Sequence, residues 1–290
     1  MSIVENTLEK LRGNGPPAGR PHPAASSRGG AGEQGSFAAR IAARPEVQLQ
    51  PARLREHGML PPTPDERRLM IQYREIKRAL LSALTHADGE GGPDRNLIMV
   101  ASAQAGEGKT FTSYNLARSL ATERDWTTLL IDADVARRHL TSALGLEGQP
   151  GLVDVLTDPA RELLDVIYRT SVPGLLFIPA GSLVDNATEL LASARMREIV
   201  RGLQEANSGL LAVFDSSPVL PTPESRALAD NVGQIVFVVR AEHTLRADVE
   251  AAIALIGDGR QVGVVLNQYR GELPTRDYYG NSDASAAPAV

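Results

Sequence analysis

The chain has 290 residues, 42% of them hydrophobic, and a formal net charge of −5. That is enough for one large α/β domain with extra segments, and it gives no electrostatic reason to expect nucleic acid as a partner. The absence of cysteine excludes a disulfide framework, a thiolate metal site and a cysteine nucleophile. No apolar run approaches the ~18 residues of a membrane span and residues 1–12 lack a signal-peptide core, so membrane association is expected only through a partner or a surface helix.

In chain order, MSIVENTLEKLR (1–12) places Ile3, Val4, Leu8 and Leu11 on one helical face. It reads either as a short amphipathic docking helix or as a frayed terminus. Residues 13–35 are Gly, Pro, Ala, Ser and Arg with almost no large apolar side chain, and 36–64 show no clear period up to the PPTP boundary. The whole of 13–64 is therefore expected to be a largely disordered linker. A helix follows over Asp65–Leu84, with Leu69, Tyr73, Ile76 and Leu80 on its buried face, and DGEGGPD (88–94) ends it.

From Leu97 onward, apolar runs of strand length alternate with helical patterns: LIMVA (97–101), TTLLID (127–132), GLLFIPA (174–180), LLAVFD (210–215), IVFVVR (235–240) and VGVVLN (262–267). Intervening helices are expected near 187–206, 222–230 and 244–257. Unbroken Val/Ile/Leu runs imply strands covered on both faces, hence an α/β fold with a mainly parallel central sheet flanked by helices. Ligands of such sheets sit at the carboxyl ends of the strands.

The first of these strands runs into ASAQAGEGKT and then a helix in which Phe111, Leu116 and Leu120 share a face. Strand, glycine turn, Lys-Thr and helix is the layout of a phosphate-binding loop. Gly106 and Gly108 leave room for backbone N–H groups to converge on phosphate, and the helix start adds its free N–H groups. Ala105, Gly106, Glu107, Gly108, Lys109, Thr110 and Phe111 are the expected nucleotide contacts. Lys109 supplies a point charge to the β- and γ-phosphates and Thr110 a hydroxyl to Mg²⁺. The usual first glycine of the motif is replaced by Ala103, and Lys109 is one of only three lysines among thirty Lys and Arg residues. Two further strands end in carboxylates, Asp132 with Asp134 beyond it, and Asp215. A lone aspartate after a strand is by default a turn residue, but on one sheet edge these converge on the loop, where Mg²⁺ needs oxygen ligands and an acceptor hydroxyl needs a base. Asn267 ends the last strand and either bonds a nucleotide base or caps the sheet.

ASAQAGEGKT, then LLIDAD with Arg137, then LLAVFD with Ser216, Ser217 and Pro218 after it, resembles the Walker A, A′ and B set of the bacterial tyrosine kinases, P-loop NTPases of the MinD/ParA-like superfamily that assist exopolysaccharide and capsule synthesis. SIVENTLEKLR and YREIKRALL are similar to segments of the soluble autokinases of exosortase-type systems. The resemblance implies a P-loop kinase domain over 65–268 that uses ATP and Mg²⁺. Lys109, Asp132, Asp134, Asp215 and Arg137 are then catalytic, and Thr110, Asp132 and Asp215 hold the metal; the role of Arg137 is open between it and Arg138. It also implies a flexible tail over 269–290 whose Tyr278, Tyr279 and Tyr269 accept phosphate from a neighbouring copy. Further implications are a homo-oligomer, a membrane polysaccharide chain-length regulator as activator, and a cytoplasmic protein recruited to the inner face of the plasma membrane. One departure concerns self-association: the family's Glu-x-x-Arg-x-x-Arg pattern reads Ile71, Arg74 and Lys77 here. Two alternatives stand beside the autokinase. A positioning ATPase of the MinD/ParA type would carry a second lysine where Gln104 stands. A non-catalytic nucleotide-gated adaptor of a polysaccharide export complex would leave Ala103 unremarkable.

Overall fold

A computed structural model describes residues 37–85, 95–205, 209–257 and 260–269. The docking-helix stretch 1–12, the start of the linker, Tyr278 and Tyr279 lie outside the described residues. The elements run α1 (Phe37–Ala42), β1 (Glu46–Val47), α2 (Pro51–Glu56), α3 (Thr63–Thr85), β2 (Leu97–Ser102), α4 (Lys109–Leu120), β3 (Thr127–Asp132), α5 (His139–Ala143) and α6 (Leu152–Thr157). After a 3-10 turn (Leu163–Val166) come β4 (Tyr168–Thr170), β5 (Leu175–Ile178), α7 (Ala187–Leu191), α8 (Ala194–Glu205), β6 (Leu210–Asp215), α9 (Pro223–Ala229), β7 (Gln234–Arg240), α10 (Arg246–Ile256) and β8 (Gln261–Asn267).

The strands form one eight-stranded sheet in the order β1-β4-β5-β3-β6-β2-β7-β8. Every neighbouring pair is parallel except β4 and β5. Alternate residues of β2 show why its run is continuously apolar. Leu97, Met99 and Ala101 enter a core with Met196, Ile199 and Leu203 of α8. Ile98 and Val100 enter a second core with Leu116 and Leu120 of α4 and Tyr73 and Leu80 of α3. Both faces are therefore covered, and each exposes apolar surface only to another apolar surface. In α3, Leu69 and Ile76 pack part-buried against the same core.

Three expectations need correction. The linker does not extend to residue 64. Within 37–64, β1 pairs with β4, Leu54, Met59 and Leu60 are buried, and Asn115 Nδ2 donates to the Met59 carbonyl at 2.8 Å. Arg53 also reaches the Ser142 carbonyl at 2.6 Å. The apolar residues here are too sparse to give a period, and Leu54, Met59 and Leu60 join the core that also holds Leu116 of α4 and Leu140 of α5. Second, β8 is not covered on both faces. It is an edge strand, and Val264 and Leu266 are 60% and 56% exposed. Third, the helix expected over 187–206 is two, because the Ser193 side chain accepts from Met196 N at 3.1 Å and caps a fresh start.

In the sequence pattern that departs from the resembled self-association helix, Ile71 is 52% exposed, whereas Lys77 is buried. The Lys77 ammonium is engaged inside the chain, with Thr122 Oγ1 at 2.9 Å and Glu123 Oε1 at 2.5 Å.

The packing of 51–60 makes a direct prediction. Leu54→Ala should lower unfolding free energy by about 2–5 kcal/mol, the range for emptying a buried leucine site, in urea titrations of the full chain. A linker residue would change it by less than about 0.5 kcal/mol.

Candidate functional site

The loop between β2 and α4 takes its shape from its glycines. Gly106 and Gly108 have φ of +80° and +96°, a region that side chains disfavour. A Cβ on Gly108 would also lie 2.0 Å from Asn267 Nδ2. Ala103 is not among the residues of positive φ, is fully buried, and accepts Leu220 N at 3.2 Å. Its backbone needs no glycine, so the departure from the usual motif brings no strain.

The loop opens on a cleft of about 430 Å³ lined by Gly106, Gly108, Lys109, Thr110, Phe111, Asp134, Arg137 and Asn267, together with Gly58, Met59, His139 and Gln268. Its size suits a small molecule. Lys109, buried at the start of α4, donates from Nζ to Ser102 Oγ at 3.0 Å. Burial pulls its pKa below the ordinary lysine value, and the charges of Asp215, Asp134 and Glu107 oppose that shift. Asn267 Nδ2 donates to the Glu107 carbonyl at 2.9 Å, so the end of β8 rests on the loop. Phe111 meets the Tyr73 ring edge-on, centroids 6.4 Å apart. Ala105 is exposed and does not line the cleft, and the fully buried Glu107 does not line it either.

Beneath the loop, Asp132 and Asp215 are register partners on neighbouring parallel strands, both fully buried. Asp132 Oδ2 accepts Thr141 N at 2.8 Å and Thr141 Oγ1 at 2.6 Å. Asp215 Oδ1 accepts from Ser113 Oγ at 2.9 Å. The remaining oxygens, Asp132 Oδ1 and Asp215 Oδ2, have no hydrogen-bond partner among the described residues. Burial, reinforced by the Asp215 charge and opposed by the Thr141 bonds, pushes Asp132 up to about 8. Burial likewise pushes Asp215 up to about 7, against the Ser113 bond and the Lys109 charge. Asp134 lies closer to the surface, 6% exposed, with Ser217 Oγ donating to its Oδ1 at 2.8 Å.

Of the two arginines after the aspartates, Arg137 lines the cleft. Arg138, at φ +52°, sends Nη1 toward the Gly181 carbonyl at 3.3 Å. Tyr269 follows β8 and is 43% exposed. Sequence reasoning missed Ser113, Thr141 and Ser217, which hold the carboxylates, and Met59, His139 and Gln268, which line the cleft. For Ser217 a signal existed, since a pair of serines follows Asp215 directly at the strand tip; the other hydroxyls carry none.

Two buried carboxylate oxygens, Asp132 Oδ1 and Asp215 Oδ2, with the Thr110 side chain next to Asp215, are a hard oxygen set that fits a small divalent cation. No cluster of three or more His, Cys, Asp or Glu among the described residues could hold a metal alone, so a cation here depends on further oxygens from ligand and water.

Glycine turn, buried lysine at a helix start, and carboxylates on adjacent strand tips together define a P-loop nucleotide-binding domain. Residues 98–280 match the CobQ/CobB/MinD/ParA nucleotide binding domain model. The putatively assigned tyrosine-protein kinase EpsB of Ralstonia solanacearum is 34% identical over 179 residues, 62% of this chain and 23% of EpsB. The tyrosine-protein kinase CpsD of Streptococcus agalactiae is 29% identical over 193 residues, 66% of this chain and 82% of CpsD. Among solved structures, the VpsO kinase domain superposes with a TM-score of 0.59 at 30% identity, covering 71% of this chain and 99% of that one. MinD of Pyrococcus horikoshii, bound to Mg-ADP, shares the fold at 22% identity and a TM-score of 0.51, covering 60% of this chain and 70% of that one. The chain belongs to the CobQ/CobB/MinD/ParA nucleotide-binding family and, within it, to the bacterial tyrosine-kinase domains.

The raised carboxyls predict a pH dependence of the nucleotide-free protein. Unfolded, both titrate near the ordinary aspartate value of 3.8; folded, they keep protons up to about 8 and 7. The native state therefore binds more protons in that window, and the stabilisation, complete below about pH 4, is lost as pH rises toward 8. The melting temperature of ligand-free protein should fall from about pH 5 to pH 8, and Asp132→Asn should flatten the slope.

Proposed function

We propose that the protein is an ATP-dependent protein-tyrosine autokinase that phosphorylates tyrosines of its C-terminal tail and regulates exopolysaccharide or capsule synthesis or export. The observation that carries this reading is the meeting of Lys109, Arg137 and Asp134 in one cleft, above the buried Asp132 and Asp215. Lys109 leaves Ser102 and follows the β- and γ-phosphates as they enter. Arg137 faces the transferring phosphoryl group and offsets its charge. Thr110, Asp132 and Asp215 would hold Mg²⁺ together with phosphate oxygens and water, and the ion would supply charge neutralisation at the phosphates. Asp134, the most accessible of the three carboxylates, accepts the proton of the incoming tyrosine hydroxyl, with Asp132 supporting it. Phe111 and Asn267 bound the base side of the cleft.

The fate of the tyrosines supports the choice of acceptor. Tyr73, Tyr114 and Tyr168 are buried, and burial pushes the hydroxyls of Tyr73 and Tyr114 up to about 12, so these groups have neither access nor acidity. That leaves Tyr278 and Tyr279 as the principal acceptors, with Tyr269 as a third. A neighbouring copy supplies the kinase site, and a membrane polysaccharide chain-length regulator recruits the protein to the inner face of the membrane from the cytoplasm.

Incubation with labelled ATP and Mg²⁺ tests the reading. Phosphotyrosine should form on the chain and fall by about 10²-fold or more in Lys109→Ala, as for loss of a preorganised cation at a transferring group. The Tyr278→Phe/Tyr279→Phe pair should remove most of it. Free phosphate without phosphotyrosine would instead favour the positioning ATPase, and neither product would leave the adaptor or a kinase that awaits its membrane activator.

A further inference from the structure

We propose that Glu107 is a positioning residue that clamps the phosphate loop to the ends of two neighbouring strands and thereby sets nucleotide affinity; this rests on the nucleotide-binding reading above. A carboxylate inside a phosphate-binding loop places negative charge next to the site of a polyphosphate. Exposed, it would be screened and harmless. Glu107 is instead fully buried, and a buried carboxylate is tolerated only where hydrogen bonds replace water.

Those bonds all tie the loop to something. Glu107 Oε2 accepts Gln104 N at 2.9 Å, closing the loop on itself across three residues. Glu107 Oε1 accepts the hydroxyl of Thr244, in the turn between β7 and α10. Thr244 Oγ1 in turn accepts Arg240 N, at the end of β7, at 3.0 Å. On its main chain, Glu107 receives Asn267 Nδ2 from the end of β8 at 2.9 Å. One residue thus joins the loop to β7 through its side chain and to β8 through its carbonyl. The Gln104 N–H is fixed on the carboxylate, which orients the peptides that follow it, and these are the ones that present donors to phosphate. The charge itself is directed away from the cleft, toward Thr244. Loss of the carboxylate frees the Gln104–Gly106 peptides to rotate, and nucleotide must then order them on binding.

The test is ATP affinity and steady-state autophosphorylation of the full chain carrying Glu107→Gln, Thr244→Val, or both. Each single variant should raise the Kd and KM for ATP about 10-fold, the effect of losing one charge-assisted hydrogen bond, with kcat at saturating ATP within about twofold. Because the two groups share one bond, the double variant should be no weaker than the worse single one. Thr244→Ser keeps the hydroxyl and should restore affinity. If Glu107→Gln proves too unstable to purify, the Thr244 pair carries the test alone. Unchanged affinity in Thr244→Val, a lowered kcat at unchanged KM, or additive losses would overturn the clamp. Failure of the unmodified chain to bind ATP would overturn the nucleotide reading, and the clamp with it.

Discussion

Parallel pairing of β3 with β6 sets Asp132 beside Asp215 at a depth where neither reaches water. Two carboxylates so placed repel each other and lack solvation, and such a pair stays ionised only with strong local help. Thr141 and Ser113 provide part of it, one to each carboxylate. The oxygens without partners mark what is still missing. The surroundings answer to this pair: a lysine buried near the opposing charge, hydroxyls on α4 and α5 that bond the carboxylates, and a shallower aspartate bonded by Ser217. In the ligand-free domain the pair meets this cost by keeping protons well above the ordinary aspartate range.

The parts legible in the sequence are those whose cause is local. A buried strand must be apolar along its whole length, so β2, β3, β6 and β7 announce themselves, and the loop motif carries its own chemistry within ten residues. Asp132 and Asp215 are legible because each terminates such a run, and Asp134 because it follows two residues later. What holds them is not. Ser113 lies 102 positions from Asp215, and nothing about a serine in a helix reveals which carboxylate its hydroxyl will meet. The segment 37–64 fails for a related reason. Leu54, Met59 and Leu60 find their partners on helices that appear only later in the chain. The exposed face of β8 misled in the other direction, since an apolar run says how a strand can pack and not whether it lies at the edge.

Adjacent arginines make the same point at the scale of one bond. Arg137 and Arg138 are equivalent in composition and in distance from the LLIDAD strand. A left-handed backbone at Arg138 turns its guanidinium to the Gly181 carbonyl and leaves Arg137 facing the cleft. Similarly, Lys77 occupies a position that resembles part of a self-association surface, yet its ammonium is committed to Thr122 and Glu123.

The strand order has a consequence for how the molecule is made. β6 lies between β2 and β3, yet its residues, 210–215, come after both in the chain. Until β6 inserts, the two older strands have no common neighbour, Asp215 has no counterpart in Asp132, and the loop of β2 faces an incomplete wall. Contacts so distant in sequence form late and slowly. During synthesis the phosphate loop therefore exists as a sequence well before it exists as a site, and partly folded chains cannot compete for nucleotide. A ligand that needs the wall formed by β6 binds chains in which this crossing has been made, and so adds its binding free energy to the folded side of that step.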